Sequence, residues 1–130
     1  MTGPQGRGPV AYHLVPEGAW MDALKGEAFR PASLQTDGFV HLTHALDDLV
    51  EVANAFYRDE PGAHVVLAID LDRLESAWRY DGDERFPHVY GPLDRTAISA
   101  VHGIARDADG RYLPLDPDRG KSRMRGRGPG

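Results

Sequence analysis

The sequence contains no cysteine. Disulfide staples, zinc–thiolate centres and a cysteine nucleophile are therefore excluded, and any metal would need histidine and carboxylate ligands. No apolar run approaches the roughly 18 to 20 residues needed to cross a bilayer. The Gly/Pro-rich start, MTGPQGRGP, lacks the apolar centre of a signal peptide, so a cytoplasmic protein with no membrane partner is expected. There is no P-loop or GxGxxG sequence, and Ser33, Ser76, Ser99 and Ser122 lie in no GxSxG setting. There are no internal repeats. Positive charge is scarce outside one end: 15 basic residues stand against 20 acidic ones, a net charge of −5. Residues 116–130 hold five basic and two acidic residues, so a tail of +3 leaves −8 on the rest. An acidic body is a poor platform for duplex nucleic acid, whose phosphates demand a basic face.

What is present fits one domain. A chain of 130 residues with 41% hydrophobic content can bury one modest core. Residues 10–115 are expected to form it. Residues 1–9 and 116–130 have almost nothing to bury and are expected to be disordered, the basic tail being solvated or touching an acidic partner.

Periodicity outlines the elements. VAYHLV (10–15) reads as a strand, and PEGAWMDALKG (16–26) as a helix with Trp20, Ala23 and Leu24 on one face before Gly26 stops it. EAFRPASLQTDG reads as an extended loop with room for one helical turn. FVHLT (39–43) alternates as a strand with Phe39, His41 and Thr43 on one face. From Ala45 the period becomes helical, with Leu46, Leu49, Val50, Ala53, Phe56 and Tyr57 in one stripe. Thr43 or His44 is placed to cap that helix, and Asp47 and Asp48 suit its positive end. HVVLAIDL (64–71) is the strongest strand and belongs mid-core. AWRYD is a short strand and TAISAVHGIARD a late one. Asp107 to Gly110 make a hairpin turn returning through RYLPL. ERFPHVYGPL (84–93) is too dense in Pro, Gly and aromatics for a regular element, and reads as one wall of a cleft or a cover for the core edge. The sum is an α+β domain with a curved or split sheet and two principal helices.

His13, His41 and His88 stand in three extended segments, and any two that converge form an acid/base pair, because imidazole titrates near pH 6.5. His44 has a local explanation at the helix start, whereas His41 does not. None of the three stands at a local ligand spacing with a second, so no metal is assigned. His41, His88 and Tyr90 are the catalytic candidates. Tyr12, His13, Arg30, Ser33, Phe39, Thr43 and Arg85 are the candidate ligand contacts.

AYHLVPEGAW, RPASLQTDGFVHLTHA and ERFPHVYGPL resemble the small bacterial family called domain of unknown function 952, over roughly residues 10–105. That family in turn resembles the ADP-ribosyltransferase superfamily, which implies an ADP-ribosyltransferase-like sheet core and a cleft for NAD or an ADP-ribose-containing nucleotide. Carried over, the resemblance places an adenosine-ribose contact on His13 of YHLV, and puts His41 of FVHLT where a Tyr stacks on nicotinamide. Two departures stand out: Leu14 follows the first His where Gly is frequent, and no Glu stands in or after PHVYGPL to support transfer. Two other readings stay open: a His/Tyr acid–base enzyme acting on another small molecule, and a non-catalytic interaction module.

Overall fold

The protein is described by a computed structural model covering residues 10–23 and 28–115. The two terminal tails expected to be disordered, and Leu24 to Gly26 of the first expected helix, lie outside the described residues. The fold is α+β, with two three-stranded antiparallel sheets.

His64–Asp70 (β3) is buried at every position except Asp70. Its β-branched and aliphatic side chains suit a strand covered on both faces. Val10–Pro16 (β1) and Ile98–Gly103 (β6) flank it, giving the order β1-β3-β6. The chain passes directly from Pro16 into Glu17–Asp22 (α1), six residues long. Ala23 is already extended, so among the described residues this helix is shorter than the periodicity predicts. Trp20 still faces inward, edge-on to Phe29 at 5.3 Å. Ala32–Thr36 (α2) is the short helical turn allowed for within the expected loop, following Pro31, whose fixed φ suits a helix start.

Leu46–Phe56 (α3) is the longest helix among the described residues and packs against β1. Only Leu49 and Ala53 of its apolar stripe are buried, and Phe56 is 75% exposed. Neither Thr43 nor His44 caps it: the N-cap is Ala45, with no side-chain hydrogen bond. His44 instead turns away, donating from Nδ1 to the Val10 carbonyl (2.9 Å) and accepting at Nε2 from the Tyr80 hydroxyl (2.7 Å). The segment after β6 folds back through the expected turn, Gly110 having φ +86°. Asn54 of α3 holds it by bonding both the N–H and the carbonyl of Tyr112, at 2.7 and 3.0 Å.

The second sheet corrects one expectation. Val40–His41 (β2), Pro87–Val89 (β5) and Trp78–Tyr80 (β4) form a sheet of order β2-β5-β4. The stretch 84–93 thus supplies the middle strand rather than an irregular wall. Pro87 is tolerated because it is the first residue of that strand.

The two sheets meet along residues 40–44. On one edge Leu42 and His44 donate to the carbonyls of Pro87 and Arg85, at 2.9 and 3.0 Å. On the other, Thr43 exchanges two backbone bonds with Tyr12 of β1, at 2.7 and 2.9 Å. Val40, Leu42 and Val89 then pack with Ala11, Val15 and Leu67 in one core. His13 lies on the same face of β1 as Ala11 and Val15 and is enclosed at 9% exposure. Its Nδ1–H donates to the His41 carbonyl at 2.8 Å.

Burial lowers the His13 pKa to about 4, with the nearby His41 a smaller contribution in the same direction, opposed by the hydrogen bond to its carbonyl. Between pH 6.5 and 4 the unfolded chain therefore binds a proton that the folded chain refuses, so stability falls on acidification through that window. His13 should contribute up to about 1.4 kcal/mol per pH unit to that slope. Urea unfolding of wild type and His13→Asn across pH 4 to 7.5 should show a flatter dependence in the variant; equal slopes would refute the assignment. A second test concerns Gly91, where an added Cβ would meet the Ser76 Cβ at 2.9 Å and press on its Oγ, which is bonded to the Pro92 carbonyl. Gly91→Ala should cost about 1 to 3 kcal/mol, and Ser76→Gly in that background should restore part of it, as read by the midpoint of thermal unfolding.

Candidate functional site

Alternation along the second sheet separates two faces. Val40, Val89 and Trp78 are paired in register and turn toward the core. His41 is the register partner of His88, and His88 that of Arg79, so these three share the opposite face. Phe39 and Tyr90 extend the same face by two residues on their respective strands. The aromatic rings meet there: Phe39 stacks on His88 at 4.1 Å, and lies 4.7 Å from His41 and 5.4 Å from Tyr90. The two imidazoles stand edge to face at 5.4 Å. The His88 side chain is 18% exposed and that of His41 48%, so both are open to a ligand.

Each imidazole has a carboxylate behind it. Asp81, just beyond β4, accepts from His88 Nδ1 (2.8 Å), Arg79 Nε (2.7 Å) and the Tyr90 hydroxyl. The hydrogen bond from Tyr90, then those from Arg79 and His88, hold its carboxyl well below the usual carboxylate range. The Tyr90 phenol is correspondingly raised, first by that bond and then by partial desolvation. Asp37, at the end of α2, accepts from His41 Nε2 at 3.0 Å. A carboxylate donates nothing, so the bonded ring nitrogen carries the proton in each case. In the neutral form of each ring the lone pair is then on the other nitrogen, Nε2 of His88 and Nδ1 of His41. The Arg79 guanidinium covers the Tyr90 ring at 4.4 Å.

The other residues singled out from the sequence are placed as follows. His13 is behind the sheet, touching the site only through the His41 carbonyl. Thr43 is buried and Tyr12 half-buried, the two bridging the sheets through backbone. Arg85 is tied to Asp83 at 2.7 Å and faces Asp48 at 3.8 Å. Arg30 borders a separate shallow groove with Val15, Pro16, Ala19 and Phe29. The Ser33 hydroxyl is buried without a hydrogen-bond partner. Sequence reasoning missed Asp37, Arg79 and Asp81. Asp37 stands four residues before His41 and Asp81 seven before His88, spacings that carry no meaning until the sheet is built. Among the described residues no group of three or more His, Asp or Glu side chains is arranged to hold a metal ion, and no helix is long and apolar enough to cross a membrane.

Residues 14–101 match the family described as Protein of unknown function (DUF952). The chain belongs to this family. The match includes every strand residue of the His41–His88 face. Solved structures agree with the DUF952 fold seen here. The crystal structure of protein CC0527 from Caulobacter crescentus is 27% identical, with a TM-score of 0.68, covering 80% of this chain and 93% of that one. The solution structure of the same protein is 29% identical, with a TM-score of 0.62, covering 85% and 96%. No curated protein matches the chain.

The paired tautomers are directly measurable. In wild type, 15N NMR of the imidazoles at pH 8 should show His88 protonated at Nδ1 and His41 at Nε2. Asp81→Asn presents an amide in place of the acceptor, and should shift His88 toward the Nε2–H form while leaving His41 unchanged. An unaltered His88 tautomer would show that Asp81 does not set it.

Proposed function

We propose that the His41–His88 face is an acid–base site acting on a small molecule. The observation that carries this is the register pairing of two imidazoles, each backed by a carboxylate that fixes its tautomer. Imidazole is the side chain that both gives and takes protons around neutral pH, and two of them on one ligand supply a base and an acid. In this reading His41 and His88 are the catalytic residues and Phe39 is the surface on which the ligand lies. The Tyr90 hydroxyl commits its hydrogen bond to the Asp81 carboxylate and so meets the ligand as an acceptor. Asp37 and Asp81 act through the histidines as positioning residues.

A second reading, binding or processing of NAD or ADP-ribose on an ADP-ribosyltransferase-like sheet core, is favoured by the aromatic surface of Phe39 and Tyr90 beside the Arg79 guanidinium. A flat base can stack on such rings while a cation meets a phosphate. In this reading His13, being enclosed, contributes only by orienting His41.

Both readings meet in one experiment. Wild type, His41→Ala and His88→Ala are incubated with a defined mixture of small metabolites that includes NAD and ADP-ribose, and depletion is followed by mass spectrometry. Some component should be consumed by wild type and consumed about 10²- to 10⁴-fold more slowly by each variant, with circular dichroism unchanged because neither ring is part of the core. Consumption of NAD or ADP-ribose selects the second reading. Equal consumption by the variants, or none by wild type, overturns the acid–base site and leaves an interaction module.

A further inference from the structure

Resting on the acid–base reading, we infer that the ligand of this face is an amine, a cationic small molecule that carries an apolar or flat group beside its nitrogen. The inference comes from what the site shows to solvent. As neutral rings, His41 and His88 present lone pairs at Nδ1 and Nε2, because the opposite nitrogen of each is committed to a carboxylate. The Tyr90 hydroxyl directs its proton at Asp81 and its oxygen toward the Arg79 guanidinium. Two imidazole acceptors thus stand together. Apart from the Arg79 guanidinium these side chains turn no donor to a ligand, and an ammonium brings three donors and no acceptor.

Charge points the same way. Two carboxylates, Asp37 and Asp81, stand against one guanidinium, Arg79, which spends its Nε on Asp81. The next cation along the chain, Arg85, is already occupied by Asp83 and Asp48. The face sits on a chain whose residues 1–115 carry −8. A phosphate or carboxylate ligand would have to approach these carboxylates with Arg79 as its main counter-charge, whereas an ammonium gains from both. The rings add to the preference: a cation over an aromatic face is attracted by the ring quadrupole, and Arg79 already takes that position over Tyr90. Phe39, stacked on His88, offers an apolar contact for the carbon part of the ligand.

The test uses three probes of one shape and different charge: benzylamine, benzyl alcohol and benzoate, titrated into the whole protein at pH 7.5 and low salt, with the imidazole and aromatic NMR signals of the site as the readout. Benzylamine should shift the His41, His88 and Phe39 signals saturably and bind at least tenfold more tightly than benzyl alcohol. Benzoate should leave them in place. Raising the salt should weaken the amine alone, and Asp37→Asn should do the same without disturbing the fold, since the side chain of Asp37 is 48% exposed. Benzoate binding as well as the amine, or benzylamine binding no better than the alcohol, overturns the inference while leaving the acid–base site intact. If the tautomers of the free protein are not Nδ1–H at His88 and Nε2–H at His41, both fall together.

Discussion

The fold hinges on five residues that belong to two sheets at once. Val40 to His44 bond to β5 on one edge and, through Thr43, to β1 on the other. A strand in that position cannot be shifted by one residue without breaking both ladders and turning its hydrophobic side outward. Val40 and Leu42 are consequently locked into the core, and His41 is locked onto the far face. The hydrogen bond from His13 to the His41 carbonyl adds a third constraint, made from inside the core. A neutral imidazole suits that place because a buried donor must find an acceptor, and a charged one would lose far more in desolvation than one carbonyl returns.

From this constraint the site follows by geometry. Antiparallel pairing puts His88 opposite His41, and β4 then brings Arg79 alongside and Asp81 within reach of three donors. Those donors come from β4, β5 and the residue after β5, so Asp81 ties an outer strand to the central one in a small three-stranded sheet. Apolar packing on the reverse side, through Val40, Val89 and Trp78, holds the backbone while the exposed side stays polar. The imidazoles are thus placed by a rigid sheet rather than by a loop, which suits groups whose separation and tautomer matter.

Several elements were legible because their signal is local. Continuous burial of His64–Asp70 follows from its aliphatic run, and α3 follows from apolar residues at helical spacing beginning at Leu46. The strand Pro87–Val89 was not, since proline and large aromatics obscure a three-residue strand whose hydrogen bonds come from partners nearly fifty residues away in one case and about ten in the other. The cap expected at Thr43 or His44 failed for a related reason: both residues find partners across the sheet junction, on Tyr12, Val10 and Tyr80, that outcompete a role at the helix start. Membership of the DUF952 family, by contrast, was carried by short motifs that survive without any knowledge of the fold.

By itself the sequence determined a cysteine-free α+β fold with an acidic body, a strand buried on both faces and histidines concentrated in extended segments. These are properties of composition and period, which the chain carries residue by residue. Tertiary structure alone decided which histidines meet. It sent His13 inward and paired His41 with His88, and it recruited Asp37, Arg79 and Asp81, which no motif marks. The physical reason is that a protonation pattern depends on what faces each ring nitrogen, and in a sheet that is set by register with distant strands.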